Sequence, residues 1–373
     1  MELDCSKTTL KRIGEKLRHA IPLDEREEVL FAQYRAGHRN IIEAFRQKYK
    51  QMIASDEWRN KSIIFASRLK KRSTILVKLS SRQSTMDLTR MNDIAGCRLI
   101  FPDMSTLNSY REIFLSQGEQ LGHYALRTDR NQYDYITHPR ATGYRGIHDV
   151  YEEVGSDKIK AKIEVQYRTE VQHSWATALE IWDYSHERGA KFGLESKDVQ
   201  ELFMYISELF WRYLNANPSD KRLDLSNRIL YKRIIELDKQ VGLIKFFAHN
   251  KRIKVRPKFI KAANNKDGII LRRALINDDS KGIHSVKVVS KMWSALMREL
   301  FYDERKNILD SVLISMDSRF VRLAYNNYFD DARIFKNNLS KALEYAYYDI
   351  NAFKRHFLPS VEPVVDALQK ECK

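Results

Sequence analysis

Residues 158–168 alternate strictly between polar and apolar side chains: Lys158-Ile159-Lys160-Ala161-Lys162-Ile163-Glu164-Val165-Gln166-Tyr167-Arg168. Successive side chains of a β-strand point to opposite faces of its sheet, so this period of two predicts a strand. Residues 149–154 are predicted to pair with it around the turn Gly155-Ser156-Asp157. The face that carries Glu164 is polar. The other face is expected to be buried, with Ile159, Ala161, Ile163, Val165 and Tyr167.

A second informative segment precedes this strand. It reads Asp134-Tyr135-Ile136-Thr137-His138-Pro139-Arg140-Ala141-Thr142-Gly143-Tyr144-Arg145-Gly146-Ile147-His148. The segment joins a Gly-Tyr turn to several cations and a histidine. Together with the polar face of the strand, it offers an aromatic surface for a base, positive charge for phosphates and an acid for a metal or a proton. This combination is suited to chemistry on a nucleotide.

The composition indicates a globular protein of two domains. A chain of 373 residues exceeds what one core usually serves, and its 43% hydrophobic content excludes general disorder. Three cysteines, Cys5, Cys97 and Cys372, are too few and too far apart for a disulfide framework or a structural zinc site. The polar N-terminus and the lack of a long apolar segment predict a cytoplasmic protein without a membrane span.

The formal net charge of +16 is concentrated in two segments. Residues 61–98 contain nine Lys or Arg against two Asp, and residues 241–265 contain seven Lys or Arg and no acid. Either run alone is typical of a solvated face. Beside a nucleotide-type site, however, they favour a polyanionic partner, because concentrated positive charge attracts nucleic acid. The candidate RNA contacts are Lys71, Arg72, Lys251, Arg252, Lys254 and Arg256.

Hydrophobic spacing predicts the order of helices and strands. The predicted helices cover residues 8–20, 24–53, 72–79 with a continuation through a break to 91–92, 106–117, most of 170–251, 292–305 and 330–357. Besides the strands described above, short β-rich runs predict strands at residues 63–65, 97–101, 269–275, 284–289 and 311–316. After the long helical region, the sequence changes from helical spacing to short β-rich runs. This change predicts two domains, residues 1–240 and residues 241–373.

Five sequence blocks occur in a fixed order: Arg68-Leu69-Lys70 with Lys78; Asp93-Ile94-Ala95-Gly96-Cys97-Arg98; Asp134 to His138; Gly143-Tyr144-Arg145 with His148; and Glu164 to Thr169. Each block alone has a structural explanation, such as a turn aspartate or a loop aromatic. In this order they resemble the synthetase domain of the RelA/SpoT family over residues 40–235. That family transfers pyrophosphate from ATP to a ribose 3′-hydroxyl. The resemblance implies an α+β fold with a nucleotidyltransferase-like mixed β-sheet flanked by helices.

The resemblance also implies roles for individual residues. Asp93 and Glu164 are expected to bind Mg²⁺, and Glu164 to take the proton of the attacking hydroxyl. The ATP-binding residues are expected to be Arg68 and Arg98 on the adenine and Lys70 and Lys78 on the phosphates. Tyr144 is expected to stack on the acceptor base and to act in catalysis. The other acceptor-binding candidates are Arg145, His148, Gln166 and Arg168.

The last predicted helix carries a second resemblance. Tyr345-Ala346-Tyr347-Tyr348 resembles the Tyr-x-x-Tyr motif of CapRel, a family of fused toxin–antitoxin proteins. In that family, a small C-terminal domain with a pseudo-zinc-finger fold and no metal closes the adenine pocket. The resemblance implies that Tyr345 and Tyr348 are autoinhibitory, and that residues 241–373 form a smaller α/β pseudo-zinc-finger-like domain with helices.

The acceptor remains open on the sequence alone. The second resemblance implies transfer to the 3′ CCA end of tRNA, which stops translation, with release of the enzyme by a phage protein, above all a capsid protein. Gly146 and Ile147 depart from the residues of many alarmone synthetases, which puts the identity of the acceptor in doubt. A conventional (p)ppGpp synthetase that uses GDP or GTP is the alternative. A third hypothesis is an inactive RNA- or protein-binding module, against which the retained Asp93 and Glu164 argue.

Overall fold

The computed structural model describes residues 5–80, 86–117, 123–155, 159–186, 196–215, 219–249, 268–274, 286–291, 300, 309–315, 321–325, 327 and 331–352. The chain forms two compact units. The first contains Met1–Tyr133, Ile147–Tyr167 and Val255–Ala324, and the second contains Asp134–Gly146, Arg168–Lys254 and Tyr325–Lys373. Both units combine segments from either side of residue 240. The packing therefore does not divide the chain at residue 240. The separate functions predicted for residues 1–240 and 241–373 stay predictions.

The first unit begins with a group of helices. An Asp24–Glu27 capping box starts the second of them, because the Glu27 amide donates to Asp24 Oδ1 at 2.8 Å and the Asp24 amide donates to Glu27 Oε2 at 3.1 Å. The helix predicted over residues 24–53 is in fact two helices, which are separated at Gly37 and His38. The helices of this unit before the last strands are α1 Lys7–Arg18, α2 Glu25–Ala36, α3 Arg39–Ala54, α4 Asp56–Arg59, α5 Arg72–Ser80 and α6 Met104–Ser116.

The strands of the described residues form one nine-stranded sheet in the order β3-β5-β6-β2-β1-β9-β7-β8, with β4 beside β5. Their bounds are β1 Ile64–Leu69, β2 Ala95–Phe101, β3 Tyr124–Leu126, β4 Tyr133–Asp134, β5 Ile147–Glu153, β6 Lys162–Thr169, β7 Gly268–Ala274, β8 Val286–Lys291 and β9 Leu309–Ser315. The predicted α+β fold, with a mixed sheet flanked by helices, is confirmed.

The alternation along β6 has the expected structural result. All five apolar residues from Ile159 to Tyr167 are buried. The strand pairs with β5 in an antiparallel register that places Val150 opposite Glu164. The polar face is less exposed than an ordinary solvated face, since Lys162 and Arg168 are buried on it.

The second unit is a helical bundle. Its helices are α7 Glu170–His186, α8 Lys197–Phe210, α9 Asn227–Val241, α10 Leu243–His249 and α12 Arg333–Ala352, and a π-turn at Trp211–Asn215 follows α8. Helix α12 packs against α7, α8 and α9. Its apolar stripe joins the core that Trp175, Phe203 and Phe247 form; the stripe consists of Phe335, Leu339, Ala342, Leu343 and Ala346. The C-terminal helix is therefore part of the core of this unit.

The C-terminal strands are confirmed within a few residues of their predicted positions. Strand β9 pairs with β1 through Ser67↔Ser315 and Arg68↔Ile314, and β7 pairs with both β8 and β9. A short helix, α11 Val321–Ala324, follows them. The predicted helix at residues 292–305 and the candidate RNA contacts Lys251, Arg252, Lys254 and Arg256 lie outside the described residues, apart from Leu300. No helix of the described segments is long and apolar enough to cross a membrane.

Candidate active site

Asp93 lies just before the start of β2 in the sequence, and two lysines bind its carboxylate. Lys70 follows β1, and its backbone amide donates to the carbonyl of Ile94 at 2.8 Å, which fixes the two segments side by side. Lys70 Nζ lies 2.7 Å from Asp93 Oδ2, and Lys78 Nζ, from α5, lies 2.9 Å from Asp93 Oδ1. Both oxygens of the carboxylate are therefore paired with lysines that the family resemblance predicts to bind ATP phosphates.

Glu164 lies on β6 beside two of the predicted acceptor-binding residues. Gln166 Nε2 donates to Glu164 Oε1 at 2.7 Å, and His148 Nδ1 lies 3.5 Å from the same oxygen. The β5–β6 register explains this grouping: His148 pairs with Gln166, so its side chain shares a face with Glu164 one pair further along. The structure thus brings His148, Glu164 and Gln166 together.

The two carboxylates belong to one electrostatic cluster. Burial alone would raise the pKa of Asp93, but Lys70 and Lys78 outweigh burial and the like charge of Glu164, and they lower it. Burial likewise opposes ionisation of Glu164, yet His148, the Gln166 amide and Lys78 hold its pKa below the ordinary value. Lys78 acts on both groups and the carboxylates repel each other. Both carboxylates are therefore ionised at neutral pH.

We define the carboxylate cluster as Lys70, Lys78, Asp93, His148, Glu164 and Gln166. Its donor set fits Mg²⁺, which prefers a few carboxylate oxygens and takes its remaining ligands from phosphates and water. Asp93 and Glu164 would hold the ion. The described residues contain no group of three or more histidine, cysteine or acidic side chains that could hold a metal ion.

Arg68 and Arg98, the predicted adenine-binding pair, lie on neighbouring strands. In the β1–β2 register Arg68 is opposite Gly96 and Arg98 is opposite Ala66, so both side chains leave the same face of the sheet as diagonal neighbours. Arg98 is buried, and its Nη1 donates to the carbonyl of Ala324 at 3.2 Å. The C-terminal segment of the first unit therefore touches one of the predicted ATP-binding residues.

Tyr144 lies in the second unit within a group of aromatic and cationic side chains. Arg168 Nε donates to the Tyr144 hydroxyl at 3.0 Å, and its guanidinium carbon is 4.8 Å from the ring centre. The Tyr135 ring meets Tyr144 edge-on at 5.8 Å, and Arg140 lies over the Tyr135 ring at 4.2 Å. Tyr144 is only partly buried, so the group offers a stacking surface with positive charge.

Arg145 has a different setting from the one expected of an acceptor-binding residue. It is buried, and its Nη2 donates to Glu208 Oε2 at 2.6 Å while its Nε donates to Ser207 Oγ at 3.2 Å. Burial lowers the pKa of this guanidinium to about 10, although Glu208 favours its charged form. Its contacts are structural, and its predicted contact with the acceptor stays a prediction.

Arg72, one of the candidate RNA contacts, forms a bidentate ion pair inside the first unit. Its guanidinium donates to the two carboxylate oxygens of Glu28 at 2.5 and 2.7 Å, and it lies 5.4 Å from the centre of the Phe31 ring. Lys71, its neighbour, is partly exposed. A residue of the same helix as Glu28, the buried Arg35, donates to the carbonyl of Lys70 at 2.8 Å. Helix α2 therefore fixes the backbone at Lys70 and the side chain of Arg72.

The predicted autoinhibitory tyrosines lie on the outer side of α12. Tyr345 is 43% exposed and Tyr348 is 56% exposed, whereas Ala346, which faces the bundle core, is fully buried. Lys341 Nζ lies 5.5 Å from the centre of the Tyr345 ring. Both tyrosine rings are thus accessible in the structure, and their role in inhibition stays a prediction.

Two residues that support the site were missed in the sequence. Glu208 and Arg35 are buried charges in regular helical patterns, and the only available signal was a charged residue at an otherwise buried helix position. Their partners are remote in sequence: Arg145 precedes Glu208 by 63 residues, and Lys70 follows Arg35 by 35. Spacing along one helix could not reveal such pairs.

Comparison with known proteins gives the family of the central part of the chain. Residues 67–189 match the family model described as a region found in RelA / SpoT proteins. The match covers about a third of the chain. The match includes Lys70, Lys78, Asp93, Tyr144 and Glu164, so the predicted family is confirmed for this part of the chain. The enzyme class follows with it, a pyrophosphotransferase of the RelA/SpoT type.

Solved structures of alarmone synthetases are similar to the chain at low identity. Small alarmone synthetase 1 from Bacillus subtilis, bound to its product pppGpp, is 20% identical, with a TM-score of 0.38 and coverage of 55% of this chain and 93% of that one. A GTP pyrophosphokinase family protein from Streptococcus pneumoniae is 22% identical, with a TM-score of 0.35 and coverage of 60% and 94%. A search of curated proteins gives no match.

Proposed function

We propose that this RelA/SpoT-type enzyme transfers the β,γ-pyrophosphate of ATP to the 3′-hydroxyl of the tRNA CCA end. The observation that carries the catalytic part is the carboxylate cluster, in which Asp93 and Glu164 interact with the same Lys78. The cluster combines two acids that are proposed to bind the metal with two cations that are proposed to bind the phosphates. In-line phosphoryl transfer depends mainly on this kind of placement and charge neutralisation.

The reaction is balanced as follows. The acceptor oxygen forms a bond to the β-phosphorus of ATP, the bond from that phosphorus to the α–β bridging oxygen breaks, and AMP leaves. When bound, Mg²⁺ supplies charge neutralisation of the polyphosphate. Lys70 and Lys78 supply further positive charge beside Asp93. Arg68 and Arg98 share one sheet face, and their proposed role is to bind the adenine.

The structure also bears on the proton of the acceptor hydroxyl. Glu164 is the proposed proton acceptor, and its depressed pKa means that it is always ionised at neutral pH and is only a weak base. His148 lies 3.5 Å from it and can orient the same hydroxyl. We therefore assign Glu164 first to metal binding and positioning, and second to proton transfer.

The tRNA acceptor is favoured over GDP or GTP by charge and by the motif on α12. A net charge of +16 suits a large polyanion, whereas a nucleotide needs only a few cations. Tyr345 and Tyr348 resemble the regulatory tyrosines of fused toxin–antitoxins, which act on tRNA. A conventional (p)ppGpp synthetase remains the second candidate, because the carboxylate cluster serves either acceptor equally well.

The acceptor is tested by incubating the full chain with ATP labelled on the γ-phosphate and with deacylated tRNA, GDP or GTP. Label on the 3′ end of tRNA supports the proposal, and removal of the terminal adenosine should abolish it. Label on GDP or GTP alone would establish the alternative. A Tyr144→Ala variant should lose transfer to whichever acceptor is used, because the stacking surface is removed.

We also propose that Tyr345 and Tyr348 restrain the enzyme and that a phage protein, such as a capsid protein, releases it in anti-phage defence. Both rings are largely exposed, so replacing them should cost little stability. The double variant Tyr345→Ala/Tyr348→Ala of the full chain is expected to be toxic when expressed, whereas Tyr347→Ala on the same helix is the matched control. A harmless double variant with normal transfer activity would argue against a restraint by these two tyrosines.

A further inference from the structure

The turn that carries Tyr144 is fixed to helix α8. Gly143 has a φ of +88°, and a Cβ added there would lie 2.7 Å from the Cα of Met204, so the turn backbone lies directly on the helix. The Ser207 hydroxyl donates to the carbonyl of Gly143 at 2.5 Å. Arg145, on the other side of Tyr144, donates to Ser207 and Glu208. Both neighbours of Tyr144 are therefore tied to α8.

Glu208 is the centre of a buried polar network. One of its carboxylate oxygens accepts from Arg145 at 2.6 Å, and the other accepts from Arg212 Nε at 2.8 Å. The second oxygen also accepts from the backbone amides of Arg222 and Leu223, at 2.8 and 3.2 Å. A fully buried carboxylate between two guanidinium groups is held firmly, because loss of any partner leaves a buried charge unpaired.

The network continues into the C-terminal helix. Arg212 Nη1 donates to Asn227 Oδ1 at 2.8 Å, and Asn227 Nδ2 donates to Asp349 Oδ2 at 2.8 Å. The hydroxyl of Tyr213 donates to the same oxygen of Asp349 at 2.7 Å. An uninterrupted series of hydrogen bonds thus connects Arg145, beside Tyr144, with Asp349 on α12, and all of its members lie in the second unit.

We infer that Glu208 and Asp349 are positioning residues for the acceptor and that helix α12, through Asp349, holds the Tyr144 turn in its binding geometry. The inference rests on the proposed function, in which Tyr144 stacks on the acceptor base. Asp349 acts on the turn through Asn227, Arg212 and Glu208. Any event that moves α12 would also loosen the turn that carries Tyr144. This helix is therefore a structural part of the proposed acceptor site as well as the carrier of Tyr345 and Tyr348.

The first test measures the turn itself and needs no activity. Hydrogen–deuterium exchange is followed at residues 140–146 in the wild type, in Asp349→Ala, and in Glu344→Ala as the matched control on the same helix. Asp349→Ala should raise exchange in the turn roughly fivefold, about the effect of losing one net hydrogen bond. Asp349→Asn keeps an acceptor oxygen and should restore most of the protection. Equal exchange in the turn of Asp349→Ala and Glu344→Ala would overturn the inference.

The second test separates positioning from general destabilisation. With whichever acceptor the wild type labels, Asp349→Ala and Glu208→Gln should raise the KM for the acceptor about fivefold or more, while the KM for ATP stays within about twofold. A merely structural defect would change both constants together, and that result would overturn the inference. Should Glu208→Gln not fold, Asp349→Ala still gives the answer. If the wild type labels no acceptor, the proposed function fails, and the exchange measurement still decides the positioning role.

Discussion

At the residue scale, Asp93 connects the observed geometry with the proposed chemistry. Its two oxygens accept from Lys70 and Lys78, and these lysines keep the acid ionised. In the proposed reaction the negative charge of ATP would compete for the same lysines, and the carboxylate would then be available to Mg²⁺.

We predict that Asp93→Asn lowers kcat for pyrophosphate transfer by at least about a hundredfold, because an amide binds Mg²⁺ poorly and leaves the buried Lys70 without its counter-charge. The rate is measured with labelled ATP and saturating acceptor. Glu43→Gln, on the exposed side of α3, serves as the control. Near-normal kcat in Asp93→Asn at a normal melting temperature would exclude Asp93 from the site.

The pH dependence provides a second residue-scale prediction. The pKa values of Asp93 and Glu164 are lowered, so both acids stay ionised as the pH falls to their ordinary values of 3.8 and 4.5. We therefore expect kcat/KM to show no acidic limb from these groups above about pH 5, where the chain remains folded. An acidic limb near neutral pH that Glu164→Asp shifts would show that Glu164 titrates there and acts mainly as a base.

The period of two along β6 predicted that Glu164 and Gln166 share one face, because a strand fixes its own side-chain directions. The other members of the carboxylate cluster were predicted through the family resemblance, and the β5–β6 register places His148 beside this face. The sequence could not predict the setting of Arg145, because the partner that decides it, Glu208, lies on a helix far along the chain. The contacts of such a residue are decided by tertiary packing and cannot be predicted from residue spacing along the sequence.

At the scale of elements, helix α2 holds the segment from Lys70 to Arg72 in place. Arg35 of α2 binds the carbonyl of Lys70, and Glu28 of the same helix binds Arg72. The sequence predicted helix here but not the interruption at Gly37 and His38, because the apolar spacing continues across it. Only the packed structure shows that His38 is fully buried, with Nδ1 2.9 Å from the carbonyl of Tyr34.

His38 predicts a loss of stability in mild acid. Burial lowers its pKa from 6.5 to about 4, so the folded state favours the neutral ring. Its contribution is fully present above pH 6.5 and is lost as the pH falls toward 4, up to about 3 kcal/mol. His38→Asn, which keeps a donor for the Tyr34 carbonyl, should show a smaller loss of unfolding free energy between pH 7 and pH 5 in urea titrations. Equal losses in the two proteins would contradict this assignment.

At the scale of the whole molecule, the two compact units do not follow the order of the chain. The sequence indicated a boundary near residue 240 from a change in texture, and the C-terminal strands and helix that it predicted are present. It could not show that β9 extends the sheet at β1 or that α12 completes the bundle core, because both are long-range contacts. Local patterns predict elements well, but not which remote element covers an apolar face.

A fragment that ends at residue 240 would lose part of the helical bundle of the second unit. Such a fragment lacks the stripe of α12, and each large apolar side chain that loses its contacts costs roughly 1.5–3 kcal/mol. We predict that the fragment melts at a clearly lower temperature than the full chain or aggregates, as seen by circular dichroism and light scattering. A fragment that melts like the full chain would show that α12 is dispensable for the bundle. For this reason toxicity is better tested with the full-length tyrosine variants.

The most direct test of the proposed chemistry is to quantify the products of ATP in the presence of the labelled acceptor, with and without Mg²⁺. Pyrophosphate transfer yields one AMP for each acceptor molecule that gains label, requires Mg²⁺, and should fall at least about a hundredfold in both Asp93→Asn and Glu164→Gln. Formation of ADP instead of AMP, or transfer that persists in either variant, would contradict a pyrophosphokinase built on these two carboxylates.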